Sequence, residues 1–154
     1  MHGFVLQDFT TIRGAFGTTV TQGESGWLDL DGYEDLTVWI DIREVTFATS
    51  MTSITVNIQT APIKDEYLFV NMVTGYSQSS TTPPTTPQIQ KVILAQNPTV
   101  PLGRFVRWQL VPVAGTAASW DLTFRILVCA NHTGGSRQGH SSAGAPMQGM
   151  QGMR

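Results

Sequence analysis

PLGRFVRWQLVPVAGTAASWDLTFRILVCA, residues 101–130, contains two strand patterns joined by a run of small residues. In the first pattern Val106, Trp108 and Leu110 share one face, with Arg104, Arg107 and Gln109 off it. In the second, Trp120, Leu122, Phe124, Ile126 and Val128 alternate with Asp121, Thr123, Arg125 and Leu127. A period of two sustained over that length is the signature of a strand with one buried face. The linker Gly115-Thr116-Ala117-Ala118-Ser119 suits a hairpin loop, so this stretch reads as the central hairpin of an all-β domain.

The same alternation recurs upstream. Leu36, Val38, Ile40 and Ile42 form one face of a strand, and Thr37, Trp39, Asp41 and Arg43 the other. Ile54, Val56 and Ile58 repeat the pattern, and the two segments read as an antiparallel pair with one wet face. Shorter strands are expected at Thr18 to Thr21, Trp27 to Leu30 and Gln88 to Ala95. Asp31-Gly32 and Asn97-Pro98 are turn signals, and Tyr67 to Val70 is a short apolar run. Gly75 to Pro87, GYSQSSTTPPTTP, reads as a Ser/Thr/Pro loop, because proline suits neither a helix nor a central strand. No useful length shows a helical period. Short strands separated by turn residues predict an antiparallel β-sandwich or jelly roll, with a closed barrel as the structural alternative.

Both flanks break this pattern. Met1 to Gly14 lacks clear alternation and is expected to be an N-terminal arm, anchored by Phe4, Leu6 and Phe9 on the domain or on a neighbour. The β-domain is then 15–131. Residues 132–154 form a tail where glycine, serine, glutamine and methionine replace β-branched residues. Met147, Met150 and Met153 recur every third residue, too few repeats for collagen but suited to filling shallow apolar pockets on another subunit.

Composition narrows the function. Charged residues are 13% of the chain and the net charge is −2, with no basic stripe, which argues against nucleic-acid binding. A low-charge surface rich in Thr and Gln fits a protein that touches other subunits. The single cysteine, Cys129, excludes an internal disulfide and a multi-cysteine zinc site; at the end of an apolar strand it reads as a small core residue. No run is long enough to span a membrane, and the start has no charged-then-apolar leader, so the expectation is a chain made and used without export.

No catalytic pattern emerges. His2, His132 and His140 lie in the termini, and no nucleophile motif or phosphate-cradling loop is present, so no enzyme and no cofactor is expected. The acidic run Asp29 to Asp35 has neither the spacing nor the closing glutamate of a calcium loop, and reads as a turn. Trp108 and Trp120 fall on apolar faces and belong to the core. Trp39 lies on a polar face, where it would cover a loop, meet another subunit or, with Tyr33, stack a sugar. Arg104, Arg107 and Arg125 with Asp41, Arg43 and Asp121 are expected to pair across strands.

VPLGRFVRWQLVP…SWDLTFRILVCAN, together with the strands Asp35 to Ile42 and Val56 to Pro62, resembles small structural proteins of tailed bacteriophages over roughly Trp27 to Asn131. That resemblance implies a virion protein, either a capsid decoration or minor capsid protein or a tail component. It would be homo-oligomeric, partnered by the major capsid protein or tail proteins, and assembled in the host cytoplasm. Arg104 to Arg107 with a terminal strand ending at Cys129 also resembles the end of discoidin-type carbohydrate-binding domains. Those pair that cysteine with one near their start, which this chain lacks. This second resemblance implies a glycan- or receptor-binding module.

Overall fold

A computed structural model describes residues 2–15, 17–48, 50–81, 87–94, 100–114 and 119–132. These residues form nine strands: β1 (His2–Ala15), β2 (Val20–Thr21), β3 (Leu28–Asp29), β4 (Tyr33–Phe47), β5 (Met51–Ala61), β6 (Val70–Ser79), β7 (Gln88–Leu94), β8 (Phe105–Ala114) and β9 (Ser119–His132). Two short 3-10 turns, Glu24–Gly26 and Glu66–Leu68, interrupt them. The tail with Met147, Met150 and Met153 lies outside the described residues, as do the Gly115–Ala118 link and the Asn97-Pro98 turn.

The strands make two antiparallel sheets. The first runs β1-β9-β4-β7 and the second β2-β8-β5-β6, with β3 also on β8. Val20 and Thr21 pair with Leu110 and Gln109, and Leu28 and Asp29 pair with Val106 and Phe105. β2 and β3 therefore act as one interrupted strand. With that, four strands face four, and the chain crosses repeatedly from one sheet to the other. This is the double Greek key of a jelly roll, which selects among the expected all-β architectures.

The inner faces are those the alternation marks. Val38, Ile40, Ile42, Ile54, Val56, Ile58, Val106, Leu110, Leu122, Phe124 and Ile126 are completely buried. Trp108 from the second sheet meets Phe124 from the first edge-to-face, with ring centroids 5.3 Å apart. Gly75 is buried in β6 opposite Ile40; a Cβ there would lie 2.5 Å from Ile40 Cδ1, so any larger residue would have to displace the tip of that side chain between the two sheets.

Four expectations change. β8 and β9 are not a hairpin: β9 pairs with β1 and β4, and β8 with β5, β2 and β3. β4 and β5 likewise lie in opposite sheets. Alternation tells which face is buried but not which strand lies alongside. The expected N-terminal arm is strand β1, paired with β9 from His2↔Ala130 to Ala15↔Ser119. Its alternation is broken by register shifts between Val5 and Gln7 and between Gln7 and Thr10. Finally, β6 takes in Gly75 to Ser79, because the prolines of the Ser/Thr/Pro stretch begin only after that strand ends.

Candidate functional site

Strand alternation sends one side chain in two outward, and the two outer faces are treated differently. On the second sheet, Arg107 is buried beneath Trp27 and Phe69, which lie beside the two 3-10 turns. Its guanidinium lies 4.0 Å from the Phe69 ring centroid and 5.4 Å from that of Trp27, and the two rings meet at 4.7 Å. Arg107 Nε donates to Gln59 Oε1 at 2.8 Å, and Glu66 Oε1 lies 3.8 Å from Nη1. Burial pulls the Arg107 pKa down from its ordinary value and Glu66 opposes this; the group remains a cation. Over Arg107, the second sheet's outer face is covered by the chain's own aromatics.

The first sheet's outer face carries an open groove of about 500 Å³ along β1, β9 and β4. Val5, Leu127 and Trp39 are register neighbours across the three strands and supply an apolar row. Gly3 and Cys129 lie at one end, Asp41 and Arg125 at the other. Val5 is 60% exposed. Cys129 thus faces outward, contrary to its expected core position, because the alternation that buries Val128 and Ala130 turns its neighbour to the outer face.

Beside the groove, Asp41 is almost wholly buried although its strand position points outward. Arg43 reaches both of its oxygens, with Nη2 donating to Oδ2 at 2.8 Å and Nε 2.8 Å from Oδ1. The second approach is a close ion pair but lies off the hydrogen-bond line. Arg125 Nε donates to Oδ2 at 3.0 Å. Phe9 roofs the cluster, 4.5 Å from the Arg125 guanidinium and 5.4 Å from that of Arg43. One carboxylate between two guanidiniums is a fixed cationic cluster, arranged to hold β1, β4 and β9 in register rather than to move protons.

Of the site residues expected from sequence, Trp39 lines this groove and Phe9 flanks it, 46% exposed. Phe4 also lines the groove; it is partly buried and packs edge-on against Tyr33 at 5.5 Å. Leu6 corrects the arm reading: it is 4% exposed, inside the domain's own core. Tyr33 does not join Trp39 in the groove; it is flanked by His2 and His132 at 5.8 and 5.5 Å. Sequence reasoning missed Leu127, which alternation had already marked as an apolar residue on an outward face, and Val5, whose strand gave no clear alternation to mark it.

The acidic run also has a structural occupation. Asp29 takes Arg104 in a two-point pair, Nε at 2.9 Å and Nη2 at 2.8 Å, and Asp35 accepts from Asn131. Among the described residues no group of three or more His, Cys, Asp or Glu side chains is placed to hold a metal. The Arg104 hydrogen bonds hold the Asp29 carboxyl below its ordinary pKa. A depressed carboxyl contributes stability above its unfolded pKa and loses it as pH falls through the folded value. Asp29→Asn is therefore expected to lower the melting temperature slightly at pH 7 and to match the wild type once acid has protonated Asp29. An equal deficit at all pH values would show that the pair does not carry the effect.

No family model matches the sequence, and no curated protein does. In three dimensions the chain is similar to VP2 of infectious bursal disease virus, solved as a subviral particle, with TM-score 0.50. That alignment covers 87% of this chain and 32% of that one at 16% identity. A structure of the Gt strain of the same virus aligns with TM-score 0.54 over 88% of this chain and 32% of its own, at 13% identity. The chain spans about a third of the length of each. The likeness is one of fold, a jelly roll shared with part of these viral chains.

Proposed function

We propose that this chain is a non-enzymatic structural subunit of a virus particle, assembling with copies of itself and with other virion proteins. The observation that carries the reading is the jelly roll itself, similar in fold to the viral chains above. Because a fold alone does not fix function, the surface gives the second support. Ile63, Tyr67, Leu68 and Val70 are all exposed around the β5–β6 connection, Tyr67 at 95%, and Val5 and Phe9 project from β1. A low-charge domain that leaves such side chains outside has surface suited to burial against other subunits. The bacteriophage resemblance narrows the proposal to a capsid decoration or minor capsid protein of a tailed phage.

Glycan recognition is the second reading, favoured by one observation: Trp39 lines a groove that also holds Asp41 and Arg125. One experiment separates the two. In a density gradient of particles from an infected host, a shell component travels with the particles at stoichiometric occupancy, and the isolated domain binds no glycan on an array. Absence from particles, with glycan binding lost in Trp39→Ala, would replace the first reading by the second.

A further inference from the structure

We propose, on the reading of the chain as a subunit that assembles with copies of itself, that the β5–β6 connection and the hollow beside it form a two-fold contact with a second copy. Tyr67 is the most exposed large apolar side chain among the described residues, at 95%, and Ile63, Leu68 and Val70 lie exposed in the same stretch. Next to this ridge is an apolar hollow of about 500 Å³, lined by Pro62, Val70, Val100, Pro101 and Leu102. Val70 belongs to both and Pro62 precedes Ile63, so ridge and hollow are parts of one patch. A projection beside a recess is self-complementary. A two-fold axis between them seats each copy's Tyr67 in the other's hollow, and the contact closes at two copies.

The ridge is held in shape from within. Asp65 accepts the Tyr67 N–H at 3.0 Å, and Leu68 N donates to Asp65 O at 3.2 Å. Lys64 reaches Glu24 at 3.1 Å, Glu66 faces Arg107, and the Phe69 ring lies 4.0 Å from the Arg107 guanidinium. The turn is pinned on both sides of Tyr67, so association has little left to order. The same pairs point to the partner. Lys64, Asp65 and Glu66 are already engaged inside the molecule, so the ridge offers apolar area and no unmatched charge. Its complement is a neutral, apolar recess, and every copy carries one in the hollow. The size agrees as well. A tyrosine buries about 200 Å², a quarter of the roughly 800 Å² that each partner buries in a standard interface. Ile63, Leu68, Val70 and the rim of the hollow supply further area on each copy.

Sedimentation equilibrium of the full chain should show a monomer–dimer equilibrium at micromolar concentration, which Tyr67→Ser weakens about a hundredfold. Tyr67 is almost fully exposed, so its replacement leaves the folded domain intact. A second measurement fixes the geometry, in a Cys129→Ser background that removes the chain's single cysteine. Under mild oxidation, Tyr67→Cys copies mixed with Pro101→Cys copies should form the mixed disulfide about tenfold faster than Tyr67→Cys copies mixed with Val5→Cys copies. Val5 is equally accessible to a thiol partner but lies on the first sheet. A monomer throughout the micromolar range, dimerisation unchanged in Tyr67→Ser, or equal disulfide rates would each overturn the two-fold contact. The virion reading stands or falls separately, with co-sedimentation of the chain and particles.

Discussion

Phe124→Ala is expected to lower the unfolding free energy by about 3–5 kcal/mol, the cost of removing a buried aromatic side chain and leaving a cavity. Phe124 is completely buried in β9, opposite Ile42 of β4 and Thr10 of β1. Its ring meets Trp108 across the sandwich, so truncation removes a contact that ties the two sheets together. The surrounding side chains come from strands held on both sides by hydrogen bonds, and they have little freedom to collapse into the void. The measurement is urea unfolding of the purified variant, compared at unchanged slope. A loss below about 1 kcal/mol would mean that the face shared by Trp120, Leu122, Phe124 and Ile126 is not the centre of the core.

Gly14→Ala is expected to destabilise by about 1–3 kcal/mol, a large effect for one methyl group added to an edge strand. Gly14 pairs with Trp120, and a Cβ at this position would fall against the indole, 2.5 Å from Cε2. Trp120 is 2% exposed and cannot swing away without disturbing its neighbours. The end of β1 should therefore lift from β9, and amide exchange should rise over Ile12 to Ala15 while β5 and β8 stay protected. Wild-type stability in Gly14→Ala would show that the indole moves freely, contrary to its packing here.

The burial of individual side chains was legible in the sequence, and the pairing of strands was not. Val38, Ile40 and Ile42 or Leu122, Phe124 and Ile126 declare their face by alternation, because a pleated strand has no other way to bury apolar residues on one side. Nothing in that pattern distinguishes a hairpin partner from a strand in the opposite sheet, so β4 with β5 and β8 with β9 were both read as neighbours. β1 was hidden for a different reason. Phe4, Leu6 and Ile12 turn inward at even spacings, but Asp8 and Thr10 interrupt the apolar run in the region of the two register shifts, and a bulged strand with a broken apolar face looks aperiodic. The candidate site was legible in part: Trp39 stood out as an aromatic on a polar face, whereas Asp41 gave no sign of burial. Its burial depends on Arg43, Arg125 and Phe9, which only the folded sheet brings over it.

The position of β9 sets an order on biosynthesis. The last strand of the domain lies between the first and the fourth, and both take their hydrogen bonds from it. Until residue 132 has left the ribosome, β1 and β4 have no shared partner, and the first sheet cannot close. At roughly 5–20 residues per second, β1 waits several seconds with Phe4, Leu6 and Phe9 outside any finished core. A domain wired this way closes its first sheet only once β9 has emerged, through long-range pairings that are slow to form. Loss of the final strand would leave two sticky edges instead of a smaller stable domain.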